Sequence, residues 1–293
     1  MLERDKQEVG SKFWNKGKWD NFVLPFLPED CNELGLIDMG CNAGIFLELA
    51  ENKGFNQVIG IDSNKEAIRR ALDYKNRNGG TYSIQRRQIE NGIDYLPMSD
   101  FTILANVHYY LPINAWFQYL DKLQYKTSYC IVVTAAKSSH QLFKASPDLS
   151  DIRKYFKNWD EIGIIDNVSV KNDPFPRNVL SLCFKSRFID RISTDNLIYD
   201  NTLQESFWKE IDNGIDPLLT RYYKDLKKYR NGRWSDDKLS RFIIEKAVLF
   251  KDIKENGLKQ SIIVDSNNNI LDGIHRYNIM KYLGHKSILV RKT

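Results

Sequence analysis

The first two thirds of the chain alternate between short apolar runs and amphipathic segments. Four continuous apolar runs have the length of buried strands: residues 34–39, 57–61, 101–105 and 129–134. Three segments between them carry apolar residues at helical spacing: residues 45–52, 65–75 and 114–123. Because strands that alternate with helices form parallel sheets, this pattern predicts an α/β domain.

Two further apolar runs, at residues 162–170 and 178–185, flank Pro174 and Pro176. Proline cannot donate a hydrogen bond to a strand ladder and is tolerated mainly at sheet edges. We therefore expect these two runs to form a hairpin at one edge of the sheet. The first domain is then expected to cover residues 1–187.

The remainder of the chain has a different pattern. Residues 188–235 are polar and aromatic, with helical spacing and few strand signals, which predicts a helical linker. Beyond it, two helices and two strands are indicated: residues 239–256, 261–265, 275–283 and 287–291. This mixture predicts a small α+β domain over residues 236–293.

The length of 293 residues fits two domains. Apolar residues make up 42% and charged residues 28%, which excludes a wholly disordered chain, a collagen-like repeat and a coiled-coil rod. No apolar run approaches the roughly 18 residues of a transmembrane helix. The first residues are too polar for a signal peptide. We therefore expect no membrane span.

The chain contains four cysteines, which form neither a C-x-x-C pair nor a zinc-binding spacing: Cys31, Cys41, Cys130 and Cys183. Disulfides persist in oxidising compartments, where small domains use them in dense, regular patterns. The sparse cysteines predict reduced thiols and a cytoplasmic location. No other pattern identifies a metal site.

The net charge is +5, from 43 basic and 38 acidic residues. A dedicated nucleic-acid-binding domain concentrates more positive charge on one face. Two basic aromatic patches, residues 222–224 and 227–230, nevertheless combine rings and cations as single-strand binding sites do. A small-molecule partner is therefore favoured, with nucleic acid as the alternative.

The sharpest chemical signal is the stretch L-I-D-M-G-C-N-A-G. A predicted strand ends at Asp38, and a tight loop from Gly40 to Gly44 opens a helix. Glycines let the backbone approach a ligand, and a helix N-terminus offers free N–H groups. Asp62 ends the second strand, eighteen residues after Gly44. An acid in that place can accept hydrogen bonds from both hydroxyls of a ribose.

Two other interpretations of this loop remain open. The first is an ordinary tight turn that binds nothing. The second is a nicotinamide dinucleotide site, which requires G-x-G-x-x-G, whereas the third glycine is missing here. The combination of Asp38, the glycines and Asp62 in a strand–helix–strand context makes a nucleotide-type ligand site the preferred interpretation over either alternative.

The loop D-x-G-C-N-x-G resembles motif I of class I S-adenosylmethionine (SAM)-dependent methyltransferases, a likeness that covers roughly residues 10–187. This variant is similar to that of enzymes acting on tRNA wobble uridines and on small molecules or sugars. The resemblance implies a Rossmann-like domain whose sheet has seven mostly parallel strands and an antiparallel edge hairpin. It also implies a set of SAM-binding residues: Asp38, Gly40, Cys41, Asn42, Gly44, Asp62, Ile89, Glu90 and Asn106.

Within that set the resemblance implies distinct roles. The loop from Gly40 to Gly44 holds the amino-acid half of SAM, and Asp62 takes the ribose. Ile89 or Glu90 lies beside the adenine ring.

The segment after the fourth strand, residues 104–112, reads L-A-N-V-H-Y-Y-L-P. It lacks the (D/N)-P-P-(Y/F) box of amino-methylating DNA enzymes and is similar to family members that methylate small molecules, sugars or oxygen atoms. An oxygen nucleophile needs a general base. His108 is the candidate, since the unperturbed pKa of histidine is about 6.5. A structural histidine is the alternative.

The C-terminal domain carries a second loop-to-helix motif. In the stretch I-L-D-G-I-H-R, Asp272 and Gly273 directly precede a predicted helix that begins near His275 and Arg276. A helix N-terminus favours anions, and arginine can donate two hydrogen bonds to one phosphate. The alternative is an ordinary turn followed by a solvated helix start.

This C-terminal domain resembles the ParB/sulfiredoxin-like fold, in which an I-x-x-x-G-L element is followed by D-G-x-H-R. The resemblance implies a nucleotide-phosphate site formed by Asp272, Gly273, His275 and Arg276, with ATP, ADP or CTP as the ligand. A kinase reaction at this site would also use Mg²⁺, which follows from the chemistry of phosphoryl transfer. Sulfiredoxin also needs a cysteine that is Ile274 here, so repair of a sulfinic acid is not expected.

These observations predict a SAM-dependent methyltransferase that methylates an oxygen of a small molecule, sugar or glycan. A C-terminal nucleotide-binding domain, with kinase activity as a second function, accompanies it. The alternative is an RNA- or DNA-modifying methyltransferase whose C-terminal domain contributes nucleic-acid or nucleotide binding. A further alternative is a degenerate methyltransferase that acts as a scaffold and does not bind SAM.

Overall fold

The computed structural model describes most of the chain: residues 15–89, 93–107, 113–135, 149–169, 178–197, 203–230 and 234–293. The chain divides into two compact units, with the boundary between Ile189 and Asp190. Within the described residues, no helix is both long and apolar enough to cross a membrane.

The first unit is built on a seven-stranded sheet with the order β3-β2-β1-β4-β5-β7-β6. Its strands are β1 (Gly35–Met39), β2 (Gln57–Asp62), β3 (Ser83–Arg86), β4 (Ser99–Ala105), β5 (Thr127–Ala135), β6 (Trp159–Ser169) and β7 (Asn178–Ser186). Strands β1 to β5 pair in parallel, whereas β7 is antiparallel to both β5 and β6. The predicted mostly parallel sheet with an antiparallel edge hairpin is confirmed.

The helices of the first unit include α1 (Ile45–Lys53), α2 (Lys65–Asn78), α3 (Ile113–Leu123) and α4 (Leu149–Tyr155). Short turns of π- or 3₁₀-helix cover residues 19–23, 24–26 and 93–95. Helix α2 begins where Asn64 accepts hydrogen bonds from the backbone N–H groups of Glu66 and Ala67. This side-chain cap satisfies two of the N–H groups that a helix start leaves without a partner.

Both faces of the sheet are buried, as expected for parallel strands covered by helices. All five residues of β1 are buried. Ile37 and Met39 belong to the apolar core on one face, and Leu36 belongs to the core on the other face. Because successive strand residues point to opposite faces, this short continuous apolar run supplies both cores at once.

Strand β3 is absent from the predictions above. Its sequence, Ser-Ile-Gln-Arg, has no buried residue, and it pairs only with β2 at the edge of the sheet. An edge strand can remain half exposed, so its sequence lacks the continuous apolar run that marked the central strands.

The strand order places a switch point beside β1. Strand β2, the next in the sequence, pairs with one edge of β1, while β4 pairs with the other edge. In open α/β sheets, ligands bind outside the carboxyl ends of the strands at such a point. The loops that follow β1, β2 and β4 therefore surround the expected ligand site.

The second unit has a four-stranded sheet with the order β10-β9-β11-β8. Its strands are β8 (Ile189–Ser193), β9 (Ile262–Val264), β10 (Ile270–Asp272) and β11 (Ser287–Lys292). Its helices are α5 (Leu203–Asp212), α6 (Arg221–Arg230), α7 (Asp236–Asn256) and α8 (Ile274–Tyr282). Strand β9 is antiparallel to β10 and parallel to β11.

The structure corrects the expectation of a helical linker at residues 188–235. Residues 190–235 belong to the second unit, in which β8 extends the sheet beside β11. Helix α5 buries Phe207 and Trp208 completely, and the Trp208 ring stacks on that of Phe250 at 5.7 Å. The aromatic residues of this polar segment therefore form part of the hydrophobic core of the second unit, whose other elements come later in the chain.

Gly60 in β2 provides a test of the packing between β2 and α1. A Cβ atom at this position would overlap Leu47 and lie 2.9 Å from Cys41 Sγ. Because an overpacked core forces neighbours out of place, Gly60→Ala is expected to destabilise the first unit by about 1–3 kcal/mol. Thermal unfolding checks this result. Gly35→Ala is the control, since a Cβ there would meet no atom closer than 3.6 Å; equal melting temperatures for both variants would contradict the packing argument.

Candidate functional site

The loop after β1 is anchored on the end of β2. The backbone N–H groups of Gly40 and Cys41 donate to the Ile61 carbonyl oxygen at 2.7 and 2.9 Å. Gly44 N–H then donates to the Cys41 carbonyl at 2.8 Å, and α1 begins at the next residue. The Gly-rich motif therefore forms a tight strand-to-helix turn.

Left-handed backbone conformations explain the composition of this turn. Gly40 and Gly44 have φ values of 79°, and Asn42 has a φ of 47°. Glycine adopts this region without steric cost, and asparagine tolerates it better than most other residues. A Cβ at Gly40 would also lie 3.2 Å from Val107 Cγ2, so the position is restricted in space as well as in conformation.

Asp62 holds the turn and the start of α2 together. Its Oδ2 accepts a hydrogen bond from Asn42 N–H at 3.0 Å, and its Oδ1 accepts one from Asn64 N–H at 2.8 Å. An ionised carboxylate offers about four lone-pair positions. Each oxygen of Asp62 therefore keeps capacity for a further donor, such as one of two adjacent hydroxyl groups.

Asp38 at the end of β1 is buried, with 3% of its surface exposed. Its Oδ1 has no hydrogen-bond partner among the described residues. Burial, together with the charge of Asp62, raises the pKa of Asp38 to about 7. A positively charged ligand beside Asp38 would favour its ionised form.

These residues surround a cavity of about 670 Å³, within the size range of small-molecule sites. Its lining comes from the segment before β1, from the carboxyl ends of strands β1, β2 and β4 with the segments that follow β1 to β4, and from the first turns of α1 and α2: Asn15, Lys18, Asp38, Gly40, Cys41, Asn42, Ala43, Ile45, Phe46, Asp62, Ser63, Asn64, Ala67, Arg70, Ile89, Ala105, Asn106 and Val107.

Most residues of the predicted cofactor set lie at this cavity. Seven of them line it: Asp38, Gly40, Cys41, Asn42, Asp62, Ile89 and Asn106. Gly44 lies at the N-terminus of α1 and sets the backbone of the turn. Glu90 and the candidate base His108 lie outside the described residues.

Sequence reasoning missed Arg70 and Asn64. Arg70 Nη2 donates to Asn42 Oδ1 at 3.1 Å and fixes the side chain of the turn from α2. Asn64 was visible as a candidate helix cap, because the sequence Asp-Ser-Asn-Lys-Glu precedes a charged helix. Arg70 carried no such signal, since its distance to the turn depends on how α2 packs.

The thiol of Cys41 is not a reactive group in this cavity. Cys41 is buried, and burial together with the charges of Asp38 and Asp62 raises its pKa well above the usual range. Since the thiolate is the nucleophile, a thiol in such surroundings is inert.

In the second unit, Gly273 directly precedes α8 with a φ of 91°, and no side chain caps the helix. A Cβ at Gly273 would lie 2.9 Å from Arg276 Nε and 3.1 Å from Ile262 Cα. Glycine is therefore required both by conformation and by space. The uncapped first turn of α8 presents its backbone N–H groups beside Arg276.

Arg276 is oriented by two neighbours. Its Nη1 donates to Gln260 Oε1 at 2.6 Å, and its Nη2 donates to Asp272 Oδ2 at 2.8 Å. Its Nε is buried and has no partner among the described residues. Asp272, which the resemblance placed in the nucleotide-phosphate site, thus contacts the guanidinium of Arg276.

The predicted aromatic patch for nucleic acid is only partly at the surface. The hydroxyl of Tyr222 lies 3.3 Å from Lys246 Nζ, and that of Tyr223 lies 3.3 Å from Ser240 Oγ. Tyr229 is 78% exposed. Tyr222 and Tyr223 are therefore half-buried with their hydroxyls engaged within the second unit, whereas Tyr229 is open to solvent.

Among the described residues, no group of three or more His, Cys, Asp or Glu side chains is arranged to hold a metal ion.

No protein-family model and no curated protein matches the chain. Among solved structures, TehB from Haemophilus influenzae is similar at 16% identity and a TM-score of 0.45, over 53% of this chain and 58% of TehB. Magnesium protoporphyrin IX methyltransferase (ChlM) from Synechocystis PCC 6803 is similar at 15% identity and a TM-score of 0.46, over 64% and 86% of the two chains. N-methyltransferase NodS from Bradyrhizobium japonicum WM9 is similar at 13% identity and a TM-score of 0.44, over 63% and 97%. At these scores the likenesses do not assign a family or an activity to this chain.

Proposed function

We propose that the first unit binds SAM and transfers its methyl group to an acceptor oxygen. The observation that carries this proposal is the position of Asp62. Its carboxylate, with capacity for two more donors, stands beside a glycine turn at the switch point of the sheet and faces a cavity of about 670 Å³. The carboxylate of Asp62 suits a ribose diol, and the glycine turn suits a charged methionine group. The apolar wall of the cavity suits an adenine ring.

Each part of the cavity takes one part of the cofactor in this proposal. Asp62 accepts the ribose hydroxyls, and the turn from Gly40 to Gly44 lies against the methionine portion. Ile89, which lines the cavity and packs on the apolar core, offers the adenine ring an apolar surface. Asp38 is the candidate counter-charge for the cationic cofactor, because it is a buried carboxyl group whose Oδ1 has no hydrogen-bond partner among the described residues.

SAM, when bound, supplies an electrophilic methyl group whose bond to sulfur breaks as the acceptor oxygen attacks. The chain must then align the acceptor and remove its proton, and positioning alone supplies a large part of such a rate. We assign the proton to His108, which follows β4 in the sequence, close after the cavity residue Asn106. The acceptor class proposed is the hydroxyl of a small molecule, sugar or glycan.

The ionisation of Asp38 makes SAM binding depend on pH. The pKa of Asp38 is raised to about 7, and a cationic cofactor favours the ionised form. Affinity is therefore expected to rise about tenfold between pH 6 and pH 8 and to level off above, as the fraction of ionised Asp38 grows. Calorimetric titrations across this range check the prediction. Asp38→Asn should bind more weakly and without this pH dependence; an unchanged slope in that variant would assign the proton to another group.

Titration of the intact protein with SAM, S-adenosylhomocysteine and NAD separates the interpretations of the turn. Binding of the first two without NAD supports the proposal. Binding of NAD alone would support a nicotinamide site, and binding of none would support the scaffold alternative. Methyl transfer to hydroxylated small molecules is then compared with methyl transfer to RNA and DNA. Retention of the protein on heparin is measured at increasing salt concentration, because binding through phosphate contacts weakens steeply as salt rises.

We further propose that the second unit is a ParB/sulfiredoxin-like domain that binds nucleotide phosphates at the start of α8. ATP, ADP and CTP are the candidate ligands, with Mg²⁺ required if phosphoryl transfer to the acceptor accompanies binding. This candidate is favoured by three positive elements in one place: the uncapped N-terminus of α8, Arg276, and the buried Lys246, whose Nζ lies 3.1 Å from His275 Nδ1.

Arg276→Ala is expected to weaken ADP binding by about tenfold or more, because charge-assisted hydrogen bonds to phosphate are lost. SAM binding should stay unchanged in this variant. Lys281→Ala, which removes an exposed charge from the same helix, is the control. Equal ADP affinity in both variants and the unaltered protein would remove Arg276 from the site.

A further inference from the structure

Helix α6 carries an excess of positive charge. Its ten residues include five cations and one acid, a net charge of +4, whereas the whole chain of 293 residues carries +5. The cations are Arg221, Lys224, Lys227, Lys228 and Arg230. None of them lines the cavity of the first unit or belongs to the site proposed at the start of α8. This charge is therefore used by neither of the two proposed sites.

Helical spacing places three of these cations in one row. Residues three or four apart are neighbours on a helix surface, with Cβ atoms about 5–6 Å apart. Arg221, Lys224 and Lys228 follow this spacing and are exposed, and we call them the basic row. The opposite face of α6 packs inside the second unit, where the Tyr222 ring lies 5.1 Å from that of Phe207. The helix is therefore held by one face and presents the basic row to solvent.

The charges of the basic row are weakly compensated. Among the described residues, neither Lys224 nor Lys228 forms an ion pair, and Arg221 lies 3.6 Å from Asp225 with 82% of its side chain exposed. Lys227, beside the row, pairs with the first residue of α7 at 2.7 Å. Exposed ion pairs contribute little to stability, so a phosphate group can take the place of Asp225 beside Arg221. The basic row is therefore open to an anionic partner.

Aromatic rings alternate with cations next to the basic row. Tyr229 is 78% exposed, and the centroid of its ring lies 6.0 Å from the guanidinium carbon of Arg230. The same guanidinium carbon lies 4.7 Å from the centroid of the Trp234 ring. Lys238, in the first turn of α7, lies over this indole at 5.0 Å. The basic surface therefore continues from α6 to the start of α7, with Tyr229 as its most open ring.

The exposed ring of Tyr229 distinguishes between anionic partners. A nucleic-acid base offers a flat face to such a ring, and stacking of bases on aromatic side chains supports single-strand binding with any sequence. The bases of a duplex are already stacked on each other, so a duplex leaves Tyr229 unused. A lipid surface requires apolar side chains that insert between the headgroups, whereas the apolar face of α6 is packed inside the unit.

We propose that the basic row and Tyr229 form a binding surface for a single strand of nucleic acid. Phosphate groups contact Arg221, Lys224 and Lys228, and one base stacks on the Tyr229 ring. The ligand chemistry is the phosphate backbone and the unpaired base, which RNA and DNA share. This inference goes beyond the proposed function and involves neither SAM nor the site at the start of α8.

The first test measures how the affinity of the full-length protein depends on salt. Fluorescence anisotropy follows the binding of labelled oligo(U) and oligo(dT) of about twelve nucleotides between about 50 and 200 mM KCl. For single strands, the logarithm of the affinity falls with the logarithm of salt concentration with a slope of about −0.7 for each phosphate contact. Three contacts predict a slope of about −2. Binding of either strand supports the proposal, and the tighter strand identifies the source; no binding of either at about 50 mM KCl overturns it.

The variant Lys224→Gln/Lys228→Gln removes two cations of the basic row. It is expected to bind the tighter strand at least about tenfold more weakly at low salt, with a slope reduced to about −0.7. The matched control is Lys209→Gln/Lys251→Gln, which removes two exposed lysines of α5 and α7 and changes the net charge equally. Equal slopes in the two double variants overturn the assignment to α6. SAM affinity and melting temperature are expected to stay the same in all of these proteins.

The ring of Tyr229 is tested separately from the charges. Tyr229→Ala is expected to weaken binding of the tighter strand about tenfold without changing the salt slope, because a stacked base is lost but no phosphate contact. Tyr229→Phe keeps the ring and should restore the affinity. Tyr95→Ala is the control, since Tyr95 is a 64% exposed tyrosine of the first unit whose ring also lies near an arginine, Arg87. Unchanged affinity in Tyr229→Ala overturns the stacking contact.

Three competitors test the class of partner: the matching duplex, heparin, and vesicles that contain phosphatidylserine. Each carries negative charge without an unpaired base, so none should depend on Tyr229, and the duplex is expected to bind at least about fivefold more weakly than the single strand. A duplex that binds as tightly as the single strand, or vesicles that displace it completely, would show a surface that recognises charge alone and would overturn the proposal.

Discussion

Replacing Asp62 with alanine is expected to weaken SAM binding by at least about 100-fold. The change removes two acceptors for the ribose hydroxyls, and hydrogen bonds to a charged group contribute roughly 1.5–3 kcal/mol each. It also frees the N–H groups of Asn42 and Asn64, so the turn loses its tie to α2. Calorimetric titration with SAM measures the loss directly.

The matched control for this variant is Asp73→Ala. Asp73 is a carboxylate on the exposed face of α2, where it pairs with Arg69 at 2.7 Å. Its removal changes the net charge equally but leaves the cavity intact, so SAM affinity should change less than about twofold. If both variants bind SAM alike while their circular dichroism and melting are unaltered, Asp62 does not hold the cofactor.

Replacing Lys246 with methionine is expected to stabilise the second unit at neutral pH. A lysine whose pKa is lowered to about 7 in the folded state, from 10.5 when unfolded, disfavours folding whenever it must be charged. This cost is complete below about pH 7 and disappears as pH rises past the unfolded value. Removing this cost should raise the free energy of unfolding of the second unit by about 2–4 kcal/mol at pH 7. One pKa unit corresponds to about 1.4 kcal/mol, and the loss of the hydrogen bonds of Lys246 offsets part of the gain.

Hydrogen exchange of the α7 amides, corrected for the intrinsic exchange rate at each pH, reports the stability of this unit separately from the first. Protection in the unaltered protein should increase from pH 7 to pH 9, and protection in Lys246→Met should be high throughout. Lys251→Met serves as the control, because its side chain is solvated in both states. Lower protection in Lys246→Met at pH 7 would show that the lysine stabilises the unit.

The sequence pattern alone determined the frame of the first unit. Its central strands are buried on both faces, so each appears as a continuous apolar run, and the turn after β1 requires left-handed backbone at Gly40 and Gly44. Local chemistry of this kind is readable without knowledge of the partners. The spacing from the turn to Asp62 is likewise set by one helix and one strand, so the position of this acid at the end of β2 was predictable from local pattern.

The second unit was predictable only in part, because its elements are separated in sequence. The strands and helices after residue 236 followed local patterns, whereas β8 and α5 were assigned to a linker. Strand β8 completes its ladder only with β11, about a hundred residues later, and α5 buries Phe207 and Trp208 in a core shared with α7. A short polar segment does not indicate a distant partner, since the free energy that orders it comes from tertiary burial.

What the sequence by itself determined is the alternation of strands and helices, the glycine turn and the acid that follows it. Only the tertiary structure decided the ionisation behaviour of Asp38 and Lys246. The pKa of Asp38 is raised because the sheet buries its carboxyl group and β2 brings Asp62 close, and Lys246 meets His275 because α7 and α8 pack together. The charge of a buried group depends on solvent exclusion and on neighbours brought from elsewhere in the chain, and neither is encoded in local periodicity.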